Sequence, residues 1–89
     1  MKEKMINILD QIPKVVDNYG SGISIRFKDE GRTLGILRYG KVGSKYMLLN
    51  GDVSELIDRL DQDIHFGDGD LPVVDGVIRE YCLGHIKQM

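Results

Sequence analysis

The chain has 89 residues, of which 42% are hydrophobic and 29% are charged, a composition that indicates a folded globular protein and excludes a disordered one. This length predicts one domain, residues 1–89, with a small core. The formal net charge of -2 is unevenly spread, since residues 1–50 hold nine Lys and Arg against five Asp and Glu, whereas residues 51–89 hold three against nine.

The sequence predicts a cytoplasmic protein that does not interact with a membrane. Its longest apolar run is far shorter than a membrane span, and the first residues lead into an amphipathic pattern with acidic residues, not into the apolar core of a signal peptide. Cys82 is the only cysteine, so an internal disulfide is excluded. A chain without disulfides fits a reducing compartment.

The first predicted element is an amphipathic helix, because apolar side chains recur at intervals of three and four residues. Pro13 interrupts the pattern, since proline lacks a backbone donor and disfavours helical backbone at Ile12. The sequence therefore predicts a helix that stops at Gly20 and is either kinked at Pro13 or broken there, with Pro13 opening a second short helical turn. Its apolar stripe is Met5, Ile6, Leu9, Ile12, Val16 and Tyr19.

Between Gly22 and Leu49, apolar and polar residues alternate in three successive runs, which predicts a three-stranded antiparallel meander. Pairing Lys28 with Thr33 brings the apolar side chains of the first two strands onto one face. Placing Tyr39 opposite Ser44, across a four-residue loop, adds those of the third strand. The predicted core face is Ile23, Ile25, Phe27, Leu34, Ile36, Met47 and Leu49.

The reverse face of this meander is predicted to mix cations, aromatic rings and apolar residues such as Leu37. Aromatic rings beside cations stack bases and hold phosphates, so an alternative function is the binding of nucleic acid or a small nucleotide. Burial in a homodimer interface, or beneath part of a helix, is the other interpretation of this face. The candidate ligand-binding residues are Arg26, Lys28, Tyr39 and Tyr46.

Two helices are predicted after the meander. Asp52 precedes Glu55 by three residues, a spacing typical of a helix N-cap with an acidic first turn, so the second helix begins at Asp52 or Val53. Residues 65–70 form a glycine-containing loop, and Pro72 suits the first turn of the third helix. The predicted fold is α+β: a helix, a three-stranded antiparallel meander and two helices, with the helices packed mainly on one face of the sheet.

This element order is similar to that of two known classes of small protein. Double-stranded RNA-binding domains run helix, three strands, helix, and their helix after the sheet opens with lysines that hold phosphates. Here that helix opens with Asp52-Val53-Ser54-Glu55, whose charge repels a phosphate backbone, so duplex RNA is not the predicted ligand. The order also resembles that of some small phage-encoded inhibitors of CRISPR nucleases, a likeness of element order alone.

No set of residues predicts catalysis, a metal site or a cofactor, so the protein is expected not to be an enzyme. Cys82 and His85 are three residues apart on the third helix, and we interpret them as a buried thiol and a helix-end histidine. The loop 65–70 lacks the signature of a Ca²⁺-binding loop. Residues 40–45 have the composition of a phosphate loop, but they join two strands, which predicts a hairpin turn.

The leading functional prediction comes from the acidic half of the chain. Negative charge spread over one surface fits a basic groove on another protein, either directly or by imitating phosphates. The sequence therefore predicts a small regulatory or inhibitory protein that binds a protein partner through the second helix and the loop after it. The predicted partner-binding residues are Asp52, Glu55, Asp58, Asp61, Asp63, Asp68 and Asp70.

Overall fold

Four strands and three α-helices make up the computed structural model, which describes all 89 residues. The elements are α1 (Lys2–Gln11), β1 (Lys14–Tyr19), β2 (Gly22–Asp29), β3 (Arg32–Val42), β4 (Lys45–Asp52), α2 (Ser54–Ile64) and α3 (Leu71–Lys87), with one 3₁₀ turn at Asp68–Asp70. The strands form a single antiparallel sheet in the order β1-β2-β3-β4. The predicted α+β class is confirmed, but the prediction of three strands is wrong, and the fourth departs from the element order on which both resemblances rest.

The additional strand is the segment after Pro13, which the helical spacing had assigned to the first helix. α1 ends before Ile12, which adopts extended backbone (φ -83°, ψ 125°) as expected for a residue that precedes proline. The Lys14 ammonium donates hydrogen bonds to the carbonyls of Leu9 and Ile12 and so caps the end of the helix. The next six residues pair with β2 instead of forming a second helical turn, and their two β-branched valines suit a strand.

A β-bulge between β2 and β3 shifts the predicted register. Lys28 lies opposite Thr33 as predicted, but Leu34 is then an extra residue, and Phe27 faces Gly35. Since successive side chains of a strand point to opposite faces, one extra residue reverses the predicted facing of the residues that follow it in β3.

The turn between β3 and β4 is shorter than predicted. Two residues connect the strands, not four, and Gly43 takes the positive φ (64°) that two-residue hairpin turns favour. Tyr39, which was predicted to face Ser44, therefore lies opposite Leu48.

Three residues of the predicted core face consequently lie elsewhere. Ile36, Met47 and Leu49 belong to the reverse face, and the last two are 56% and 66% exposed. Leu37 and Tyr39 take their places in the core, where they are 2% and 3% exposed. The remaining predicted residues are buried as expected: Ile23, Ile25, Phe27 and Leu34.

Side chains from all three helices complete this core. The Tyr39 hydroxyl donates a hydrogen bond to the carbonyl of Arg79 in α3 (3.3 Å), which joins the sheet to that helix. The opposite side of the sheet, which we call the outer face, instead carries exposed apolar side chains. The helices bury Met5, Leu9, Leu56, Leu60, Val74, Val77, Ile78, Cys82 and Ile86. The outer face exposes Val15, Tyr19, Val42, Met47 and Leu49.

We expect a matched pair of leucine substitutions to distinguish the strand register of the structure from the register predicted from the sequence. Leu37→Ala removes a buried side chain and should lower the free energy of unfolding by about 2–5 kcal/mol. Leu49→Ala removes an exposed one and should change it by no more than about 0.5 kcal/mol. Urea denaturation of both variants checks this, and a larger loss for Leu49→Ala than for Leu37→Ala would contradict the structure.

Candidate functional site

The acidic surface consists of the seven carboxylates identified from the sequence: Asp52, Glu55, Asp58, Asp61, Asp63, Asp68 and Asp70. α2 is amphipathic, and burial of Leu56 and Leu60 in the core directs its charged positions to solvent. Asp52 precedes the helix, and its Oδ1 accepts hydrogen bonds from the backbone N–H (3.2 Å) and the hydroxyl (2.9 Å) of Ser54. These bonds, the backbone one foremost, hold the pKa of Asp52 below its ordinary value.

Three more carboxylates of the acidic surface have partners within the chain. Glu55 Oε2 lies 3.1 Å from Arg32 Nη2, and Asp63 Oδ2 lies 3.0 Å from Arg59 Nη1. Asp70 Oδ2 accepts a hydrogen bond from the backbone N–H three residues earlier (3.0 Å). Both ion pairs are largely exposed, so each contributes about 1 kcal/mol or less to stability.

The other three carboxylates, Asp58, Asp61 and Asp68, make no hydrogen bond or ion pair with the rest of the chain. Asp58 and Asp61 are three residues apart and are therefore neighbours on the surface of α2. Asp68 lies in the 3₁₀ turn that follows the helix. The uncompensated negative charge of the acidic surface is concentrated in these three side chains.

The alternative ligand-binding residues, Arg26, Lys28, Tyr39 and Tyr46, do not lie together. Tyr39 faces the helices, and burial raises the pKa of its hydroxyl to about 12. Tyr46 lies on the same side of the sheet, with the Lys41 ammonium 5.8 Å from its ring centroid. Arg26 and Lys28 belong to the outer face. The bulge and the short hairpin separate the rings from the cations, so this set forms no common surface.

The outer face has polar side chains of its own. Arg26 Nη2 lies 3.0 Å from Asp17 Oδ2, and Arg38 Nη1 donates a hydrogen bond to Asn50 Oδ1 (3.2 Å). Ser24 pairs with Asp17 on one side and Arg38 on the other, and it is only 1% exposed. Ser24 Oγ and Arg26 Nε are both buried without a hydrogen-bond partner. Unpaired polar atoms of this kind are uncommon and need a physical explanation.

A hollow of about 510 Å³ opens on the outer face beside Arg38. Gly22 and Gly40 are cross-strand partners, so neither strand places a side chain over this part of the sheet. Tyr19, which is 62% exposed, and Leu49 border the hollow. The sequence analysis missed it because it assigned Tyr19 to a helix and Leu49 to the core. Glycines inside strands were the available signal, since they indicate a bare or closely approached backbone.

A cluster of titratable side chains lies where α1 meets α3. The Tyr81 hydroxyl donates a hydrogen bond to the Asp10 carboxylate (2.5 Å), and its ring stacks on His85 at a centroid distance of 6.3 Å. Burial lowers the pKa of Lys14, and burial raises the pKa of the Cys82 thiol to about 12. The thiol is therefore protonated at neutral pH, and the cluster lacks the thiolate that a nucleophilic Cys–His pair requires.

Known proteins supply no further guide to these surfaces. No protein-family model matches the sequence, and searches of curated proteins and of solved structures found no match. No group of three or more His, Cys, Asp or Glu side chains is placed to hold a metal ion. None of the helices combines the length and the apolar character that crossing a membrane requires. The candidate binding surfaces are the acidic surface and the outer face.

We expect Cys82 to resist thiol reagents until the protein unfolds, because it is 0% exposed and its pKa is raised to about 12. Alkylation by iodoacetamide should be slow in native buffer and fast in denaturant. Equal rates in the two solutions would contradict the burial of this thiol.

The same pKa shift predicts how stability depends on pH. The folded-state pKa of about 12 exceeds the ordinary value of 9.0, so the thiol's contribution is complete below pH 9 and is lost as the pH rises toward 12. Urea midpoints across this range measure the loss. A Cys82→Ala variant is the control, because Tyr39 titrates in the same range, and an identical pH dependence in that variant would exclude the thiol as a cause.

Proposed function

We propose that this protein is a small non-enzymatic regulatory or inhibitory protein that binds another protein through its acidic surface. The observation that supports this function is the set of three carboxylates, Asp58, Asp61 and Asp68, that have no partner within the chain. A free carboxylate attracts a cation of a partner without first breaking an internal ion pair. Glu55 and Asp63 are partly neutralised by Arg32 and Arg59, so they contribute less to such a contact.

The chemistry of this surface defines the partner, which presents a groove or patch rich in Lys and Arg. Carboxylates spaced along a helix and the turn after it meet such a patch as phosphates would, so a nucleic-acid-binding protein is the partner class that fits best. Occupying the groove blocks its normal ligand, and inhibition follows without catalysis. The proposal places the protein in the cytoplasm.

Asp58 is exposed and Asp61 is half-buried, and neither has a partner within the chain, so the proposal is testable with little damage to the fold. Asp58→Lys with Asp61→Lys converts attraction into repulsion, and like charges placed together at an interface cost several kcal/mol, so affinity for the partner should fall roughly a hundredfold or more. Affinity capture from the native host followed by mass spectrometry identifies the partner, and titration of the purified pair measures the loss.

A matched control has the same net charge as the Asp58→Lys, Asp61→Lys variant but carries its substitutions elsewhere. Glu3→Lys with Glu80→Lys makes the same change in net charge on α1 and α3, and it should leave partner binding within a few-fold of the wild type. Both double variants should keep the circular dichroism spectrum of the wild type. If the same proteins are captured by the wild type and by the Asp58, Asp61 variant, the acidic surface is not the contact.

A further inference from the structure

The outer face is the one large surface whose apolar side chains no helix covers, and its chemistry indicates what occupies it. Across the sheet, one row of cross-strand partners runs Tyr19, Gly22, Gly40, Met47. Three strand spacings of about 4.8 Å separate the two outer residues, roughly 14 Å in all. Between them the two glycines carry no side chain, and the hollow lies between the Tyr19 ring and the Leu49 side chain, which covers Gly40.

The Tyr19 and Leu49 side chains that border this hollow are largely apolar, and the two glycines beneath it have no room for a Cβ without movement of their neighbours. Leu49 leans over Gly40, with side-chain atoms 3.1–3.3 Å from where a Cβ at that glycine would stand. A Cβ at Gly22 would lie 3.1 Å from the carbonyl oxygen of Tyr39, so this position does not accommodate a larger residue without backbone movement. A planar group that enters the hollow therefore contacts Tyr19 on one side and Leu49 on the other.

Positive charge is in excess around the hollow. The outer face carries four cations, Arg26, Lys28, Arg38 and Lys45. Its two carboxylates are already engaged, Asp17 by Arg26 and Asp52 by Ser54. Arg38 donates a hydrogen bond to Asn50 and Lys28 donates one to Thr33, so both of these cations have only neutral partners.

The orphaned polar atoms point to the same kind of ligand. Ser24 Oγ and Arg26 Nε lie on this face without a hydrogen-bond partner, next to Arg38. Arg26 Nε only donates, whereas Ser24 Oγ both donates and accepts, so an oxygen atom would satisfy both groups, and a rearranged Arg38, which only donates, would satisfy Ser24 alone. Both atoms are buried, so a ligand oxygen reaches them only after the side chains above them move.

The excess of positive charge also selects among possible occupants. A second copy packed face to face would bring like charges together, which opposes a homodimer through this surface. Lys28 and Lys45 lie at opposite ends of the face, and nine residues of β3 at about 3.3 Å each place them roughly 30 Å apart. One nucleotide does not span that distance, whereas a strand of several does.

We infer that the outer face binds single-stranded nucleic acid, with one base in the hollow against Tyr19 and the phosphates along Arg38 and its neighbouring cations. A single strand is required because the bases of a duplex are already stacked and do not reach the hollow. Aromatic stacking and a positively charged track are the two components of sequence-tolerant single-strand binding. This inference does not rest on the proposed function, since the three unpartnered carboxylates that support that function lie on α2 and the turn after it, and only Asp52 of the acidic surface lies on the sheet.

Fluorescence anisotropy of a labelled oligouridine about ten nucleotides long tests the inference at low salt. Tyr19→Ala removes the stacking ring and should weaken binding about tenfold or more, whereas Tyr19→Phe keeps the ring and should bind within a few-fold of the wild type. Arg38→Gln should reduce the slope of log affinity against log salt by about 0.7, the value for one phosphate contact to a single strand. Lys4→Gln, an exposed cation on α1, is the matched control and should leave the slope unchanged.

Three results would overturn the inference. The first is no binding of the oligouridine by the wild type at low salt, with the variants folded by circular dichroism. The second is binding that Tyr19→Ala and Arg38→Gln leave intact. The third is sedimentation of the wild type as a dimer that Leu49→Lys dissociates, which would assign this face to a second copy. The Asp58→Lys, Asp61→Lys variant should bind the oligouridine at least as well as the wild type, so failure of this inference is distinguishable from failure of the proposed function.

Discussion

Burial of a single sheet face beneath three helices is the constraint from which the surfaces of this protein follow. Phe27 and Ile25 are completely buried, and their burial determines the facing of every residue in β2. All three helices lie on one side of the four-stranded sheet, and no helix lies over the other side. Tyr19 and Leu49 are exposed for this reason, and the cations of the outer face lie beside them.

The sequence predicts the parts of this fold whose local pattern has one interpretation. The alternation of β2 is of this kind, and its buried apolar residues were assigned correctly. In β3 the apolar residues occupy both facings, Leu34 and Ile36 in one and Leu37 and Tyr39 in the other, so the pattern alone does not choose between them. The bulge at Leu34 determines which side chains of β3 face the core, and the bulge itself depends on packing against residues distant in sequence. β1 was missed for a similar reason, because its spacing also fits a helix and only pairing with β2 makes it a strand.

The acidic surface and the outer face differ in the same way. The charged side of α2 was predictable because the facing of side chains on an amphipathic helix follows from the helical period. The ion pair between Glu55 of the acidic surface and Arg32 was not predictable, because it links α2 to β3. The hollow depends entirely on the register that places Gly22 opposite Gly40. The resulting molecule carries unpartnered carboxylates on its helical layer and excess cations on its sheet, so the two sides differ in the sign of their charge.

The exposure of methyl groups in solution tests this one-sided architecture most directly. A soluble paramagnetic agent broadens the NMR signals of side chains that solvent reaches and spares buried ones. We expect strong broadening for the methyl groups of Met47 and Leu49 and little for those of Leu37, with nuclear Overhauser contacts between the Tyr39 ring and α3. Protected Met47 and Leu49 signals together with a broadened Leu37 signal would contradict this architecture, because the helices would then cover the opposite face of the sheet.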